Sequence, residues 1–153
     1  TFEKAIRYAQ DKGRKIYVAI NTFPQPKGFD RWQAAVDQAA AYGVDALILA
    51  DIGVLDYASS RWPDLRLHLS VQASVTSAEG ISFYHENFGI RRVVLPRVLS
   101  VSQVSQVITE SPVPVEVFGF GSLCVMVEGR CLLSSFVNAI LKGNLSSLFN
   151  TVL

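Results

Sequence analysis

Apolar runs and amphipathic stretches alternate along the chain. Residues 2–12 (FEKAIRYAQDK) place Phe2, Ile6 and Ala9 on one helical face, and Gly13 can end that helix. Residues 15–20 (KIYVAI) form an almost unbroken apolar run, the pattern of a strand covered on both faces of a parallel sheet. A polar loop with two prolines, Thr22 to Gly28, leads to a helix that Asp30 can cap and that runs to about Tyr42, closed by Gly43. The alternation continues with a strand at 46–50 (ALILA) and a short helix around Val54–Ser60 that stops before Pro63. A strand at 67–71 (LHLSV) precedes a helix from a Ser77 cap to about Phe88, with Gly89 as its stop. Then come a strand at 92–95 (RVVL), a helix over Ser102–Glu110 and a fifth strand at 113–120 (VPVEVFGF).

Strands that alternate with helices imply right-handed crossovers and a parallel sheet, either doubly wound or closed into a barrel. Each apolar run finishes on a polar residue or a tight turn: Asn21, Asp51, Gln72, Arg97 and the Gly119–Gly121 stretch. A barrel gathers side chains from many strand ends on one face, whereas an open sheet gathers them at one switch point. Neither a GxGxxG nor a P-loop follows the first strand. The reading is therefore an α/β fold, a parallel β/α barrel of the TIM-like kind. It is incomplete, because five strands are visible and closure takes about eight. Residues 1–136 form the partial barrel, ending in a cysteine loop, and 137–153 a divergent C-terminal tail. Asn21, Asp51, Gln72 and Arg97 are expected on one end of the sheet with Cys124 nearby, and together with Glu116 they are the candidate substrate-binding mouth.

Composition narrows the class. Of 153 residues half are apolar and 18% charged, which suffices for a full core. The formal net charge is +1 with Lys and Arg spread along the chain, so the sequence carries no nucleic-acid signal. No apolar run approaches the roughly 20 residues that span a bilayer. No signal peptide opens the chain, and a cytoplasmic location is the expectation. The chain starts at Thr1 rather than a methionine, as a partial chain would.

The densest chemistry lies in residues 116–134, EVFGFGSLCVMVEGRCLLS. Cys124 and Cys131 are separated by six residues across a turn containing Gly129, and Gly119 and Gly121 permit tight bending nearby. From spacing alone the pair reads as half of a four-cysteine metal or cluster site, as buried thiols, or as a redox pair. In a reducing cytosol they are expected to be free thiols that approach each other or face a common cavity.

The pattern Glu116-x-Phe118-x-x-Gly121-Ser122-Leu123-Cys124-x-x-x-x-Gly129-x-Cys131-x-Leu133-Ser134 resembles the signature of the collagenase-like peptidase family. The stretches VAINTF, RWQAAVDQAAAYGVDALILAD, SVQAS and VVLPRVLS resemble its anaerobic ubiquinone-biosynthesis subgroup, so the likeness covers residues 1 to about 136. The resemblance implies a 4Fe–4S cluster held by four cysteines, with Cys124 and Cys131 as the first two. It also implies a homologous partner subunit of the UbiV type and oxygen-independent hydroxylation of a small aromatic isoprenoid. Other members hydroxylate a base in RNA, and some are described as collagenases. The chain departs from the family after Phe136, where VNAILKGNLSSLFNTVL replaces a segment with a third cysteine, and the family's first strands are missing before Thr1. With two cysteines in all, the chain by itself is expected to hold no stable cluster. The alternatives are a collagenase-like peptidase or a truncated, non-catalytic member.

Other residues admit plainer readings. Glu116 is a base or, more simply, a carboxylate paired with Arg97 or a backbone group. Arg97 follows Pro96, whose ring fixes the backbone just before it, and reads as facing an anion or, more simply, as a surface salt bridge. His68 and His85 read as packing or surface residues, and Trp32 and Trp62 as core or rim anchors. No GxSxG is present, and Ser122 has no histidine near it in sequence, so serine-protease chemistry finds no support.

Overall fold

The computed structural model describes residues 1–25, 27–121 and, for the backbone, 150–151. Helix α1 (Phe2–Asp11) is followed by β1 (Tyr17–Ile20), α2 (Phe29–Ala41), β2 (Ala46–Leu49), α3 (Ile52–Arg61) and β3 (Leu67–Leu69). After β3 come α4 (Ala78–Phe88), β4 (Arg92–Val94), α5 (Val101–Glu110), β5 (Val115–Glu116) and β6 (Asn150–Thr151). Strands β1 to β5 lie side by side in chain order and every pair among them is parallel. β6 pairs antiparallel with the outer side of β1. Among the described residues the sheet is open, with β5 at one edge and β6 at the other.

The alternation of side chains along each strand decides what is buried. Val18, Ile20, Leu47, Leu49, Leu67, Leu69 and Val93 point to the helical layer and join one continuous apolar core. α2 supplies Trp32, Ala35, Val36 and Ala39, the i, i+3, i+4, i+7 spacing of a single apolar stripe. α3 adds Val54, Leu55 and Ala58, and α4 adds Ile81. Consecutive helices pack on each other, α2 on α3, α3 on α4 and α4 on α5, so one face of the sheet carries the layer. Full burial of each leucine contributes roughly 2–3 kcal/mol.

Several boundaries differ from expectation for local reasons. Asp30 is not the cap of α2; Gly28 is, without a side-chain bond, and Asp30 sits in the first turn where its charge suits the helix dipole. α3 begins earlier than its apolar pattern because Asp51 caps it, accepting from the Val54 N–H at 3.0 Å. α5 starts with a full capping box between Ser100 and Gln103. α4 ends as expected: Gly89 takes a left-handed conformation at φ 64°, where a side chain would be strained. The fifth strand shrinks from the expected 113–120 to Val115–Glu116. Pro114 has no N–H to give the ladder, and among the described residues β5 has a partner on one side only.

Candidate functional site

Ile20, Leu49, Leu69, Val93 and Val115 fall in one row across the sheet. Asn21 and Glu116 lie one residue beyond that row, Asp51 two, Gln72 three and Arg97 four, so all five stand on its carboxyl side. The register brings them to one end, and local bonding then divides them. Asn21 is half-buried directly after β1. Beside it the Thr22 carbonyl accepts from the Trp32 indole N–H at 3.0 Å, while the Thr22 hydroxyl is buried without a hydrogen-bond partner among the described residues. Asp51 is committed to the N-terminus of α3. Its negative charge, after burial itself, raises the pKa of Tyr84 on α4. Gln72 lies in a single 3-10 turn, Val71–Ala73, where its N–H donates to the Ser70 hydroxyl and Ser74 closes the turn at φ 54°.

Arg97 places its guanidinium over the Phe118 ring, 4.8 Å from the centroid. With Leu95, Leu99 and Val104 they border a pocket of about 280 Å³ at the carboxyl ends of β4 and β5. Glu116 pairs with Arg92, not with Arg97: its carboxylate takes a hydrogen bond from Arg92 at 3.1 Å. Both side chains project from the sheet face turned away from the helices, and Glu116 leans back along the strands instead of out over their ends. Cys124 and Cys131 lie outside the described residues, as do Ser122 and most of the tail.

The face turned away from the helices carries the groups that sequence reasoning assigned to packing. In register it presents Tyr17 and Ala19, Ala46 and Ile48, His68, Arg92 and Val94, and Glu116. His68 is 5% exposed, and its ring meets Tyr17 edge-on with centroids 5.1 Å apart. Burial first, and then the neighbouring positive charge of Arg92, push its pKa down to about 4, so the imidazole is neutral at pH 7. Its period-2 place on a strand that also carries Leu67 and Leu69 on the opposite face was the available signal. His85 is a satisfied helix residue, its Nδ1 2.9 Å from the Ile90 carbonyl. Among the described residues neither histidine bonds a hydroxyl or carboxylate side chain, and no three His, Cys, Asp or Glu converge as a metal site would require.

Comparison with known proteins places this arrangement. The model of peptidase family U32 matches residues 1–144. The chain belongs to the U32 family. Tested against curated relatives, it is 32% identical to tRNA hydroxylation protein P of Escherichia coli over 134 residues, 87% of this chain and 29% of that protein. It is 34% identical to the uncharacterized protease MJ0090 of Methanocaldococcus jannaschii over 139 residues, 88% of this chain and 33% of the relative. The chain thus spans about a third of the length of these U32 relatives. Among solved structures it resembles the U32 peptidase Mk0906, with a TM-score of 0.61 at 20% identity, covering 75% of this chain and 49% of the other. That likeness bears on the fold: five parallel strands alternating with helices.

Proposed function

We propose that this U32 chain is part of an oxygen-independent hydroxylase acting on an aromatic ring, and that its parallel strands belong to a TIM-like barrel. The observation that carries the reading is the 32% identity to tRNA hydroxylation protein P across 87% of the chain. The strand order supports the barrel. Five strands follow one another without the reversal that creates the switch point of a doubly wound sheet. On this reading Asn21, Gln72, Arg97 and the Arg97–Phe118 pocket line the substrate side of the barrel, at the carboxyl ends where such folds place their sites.

The finer form of the proposal takes the ring to be a small aromatic isoprenoid of ubiquinone biosynthesis, the partner a homologous UbiV-type subunit, and the cofactor a 4Fe–4S cluster. The donor set limits what these residues supply. A cubane cluster normally takes four thiolates. This sequence holds Cys124 and Cys131 alone, and among the described residues no other group of ligands converges. The residues present do not fit a whole cluster; the two thiolates would be half of its ligands, the rest coming from outside these residues. A peptidase is the second reading, favoured by the family name and by the relative called a protease. It would need a nucleophile with a base, or a metal-bound water.

The test uses the intact protein, purified without oxygen and incubated anaerobically, with isotope-labelled water as the oxygen source and a soluble two-electron acceptor, in the presence of unmodified tRNA, a ubiquinone-precursor ring or a fluorogenic collagen peptide. Gain of one oxygen atom by tRNA or by the quinone precursor, abolished by Cys124→Ser, is the expected result. Peptide cleavage without either hydroxylation would overturn the hydroxylase reading.

A further inference from the structure

The amino ends of the strands form a surface opposite to Asn21, Asp51 and Arg97. The connections that enter β1, β3 and β4 carry Lys12, Arg14, Lys15, Arg66 and Arg91, all exposed. The connections into all five parallel strands hold two carboxylates, Asp45 and Asp64. Asp45 is already occupied, accepting from the Ile16 N–H at 2.7 Å. At the carboxyl ends, by contrast, the described loops hold Lys27 and Arg97 against Asp51. The parallel winding has therefore sorted a chain of near-zero net charge into one strongly basic end.

That end is also concave. A cavity of about 870 Å³ opens there between the amino ends of β1, β3 and β4, bordered by Tyr17, Asp64, Arg66, His68, Arg91 and Arg92. Arg91 enters the sheet beside Leu67, its N–H donating to the Leu67 carbonyl at 2.7 Å, so Arg66 and Arg91 flank neighbouring strands roughly 5 Å apart. Arg92 is matched by Glu116. Among the described residues the guanidinium groups of Arg66 and Arg91 have neither an ion-pair nor a hydrogen-bond partner. The pKa of His68 is lowered first by burial and then by the charge of Arg92; Glu116 opposes this, and Arg66 adds the smallest part.

The geometry points to this amino-end cleft as a docking surface for the phosphodiester backbone of RNA, with Arg66 and Arg91 as its central contacts. Guanidinium groups match phosphate oxygens bidentately and cannot lose their charge. Arg66 and Arg91 border the cleft, and Lys12, Arg14 and Lys15 lie outside it in the connection into β1. Cations that extend past the cleft suit a polyanion more than one small phosphate, because each neutralised phosphate releases counterions. The assignment rests on the hydroxylase reading in the form its tRNA-hydroxylating relative suggests, with an RNA base in place of the ubiquinone precursor, and names where the strand lies, away from the end where that base would react. A protein that binds RNA here but hydroxylates none leaves this assignment standing and overturns that one.

The experiment measures binding of fluorescently labelled, unmodified tRNA to the intact protein across a potassium chloride series. The Arg66→Gln/Arg91→Gln double variant should bind roughly tenfold or more weakly, and its slope of log affinity against log salt should fall by about 1.4–1.8. Both side chains are exposed and unbonded, so circular dichroism and the melting temperature should not change. Lys27→Gln, at the other end of the sheet, should bind as the unaltered protein does. Wild-type affinity and slope in the double variant overturn the assignment. An equal loss in Lys27→Gln also overturns it, as a generic charge effect, and so does competition by inorganic triphosphate as effective as unlabelled RNA at equal phosphate concentration.

Discussion

The ring of Tyr17 meets that of His68 edge-on across an intervening strand, with centroids 5.1 Å apart and planes at 73°. β2 lies between them, and its residue opposite Tyr17 is Ala46, whose single methyl leaves the two rings room to touch. An edge-to-face contact of this kind adds about 0.5–1.5 kcal/mol to area burial. It ties β1 to β3 on the face that the helices do not cover, and it holds His68 where its proton is lost.

That burial makes the fold acid-sensitive in a defined window. His68 titrates at about 4 when folded, against an ordinary value of 6.5. Below about pH 6.5 the unfolded chain takes up a proton that the folded chain refuses, so stability is complete above that value and falls as pH drops toward 4. Thermal unfolding followed from about pH 7 to about pH 4.5 should show this decline. His68→Phe keeps the ring contact and should flatten it. An equally steep decline in the variant would assign the acid sensitivity to carboxylates instead.

Asp51 separates a structural role from a chemical one. Asp51→Ala removes the acceptor for the Val54 N–H and should cost about 1 kcal/mol of stability. Asp51→Asn keeps an oxygen at the cap and should cost a few tenths of that. If the negative charge also serves substrate, the Asn variant will retain its melting temperature and lose activity. Retained activity in Asp51→Asn would confine the residue to capping.

Glu116 and Arg92 form a half-exposed pair, so the ion pair itself should contribute less than about 1 kcal/mol. Glu116→Gln should leave the denaturation midpoint almost unchanged. A loss of the proposed hydroxylation beyond about tenfold in that variant would give the carboxylate a role in substrate chemistry, and an unchanged rate would leave it a structural group of the sheet face.

Asp37 joins two helices. Its carboxylate accepts from the Tyr57 hydroxyl at 2.9 Å and from the Trp62 indole N–H at 2.7 Å, and the first of these bonds is the main cause of the raised Tyr57 pKa. Asp37→Ala orphans both donors and should destabilise the protein by about 1–3 kcal/mol, seen as a lower urea midpoint at unchanged slope. The double variant Asp37→Ala/Tyr57→Phe should recover part of the loss, because one of the orphaned donors is then gone.

The sequence by itself determined the order of strands and helices, since each apolar run is long enough to be a buried strand and each amphipathic stretch has one stripe. It marked Ser77 and Gly89 well, because caps are local bonds between near neighbours, and it missed the Ser100 cap of α5. It also drew Asn21, Asp51, Gln72 and Arg97 to one end, a consequence of parallel winding. Tertiary structure decided the rest. Arg92 won Glu116 because adjacent strands set the pairing, across 24 residues of chain. His68 became a neutral buried group because the sheet sets its ring against Tyr17 and beside Arg92, where burial and a neighbouring charge keep it unprotonated. The cations looked evenly spread because they fall in connections far apart in sequence, three before β1 and one each before β3 and β4, and only the common direction of the strands brings those connections to one end.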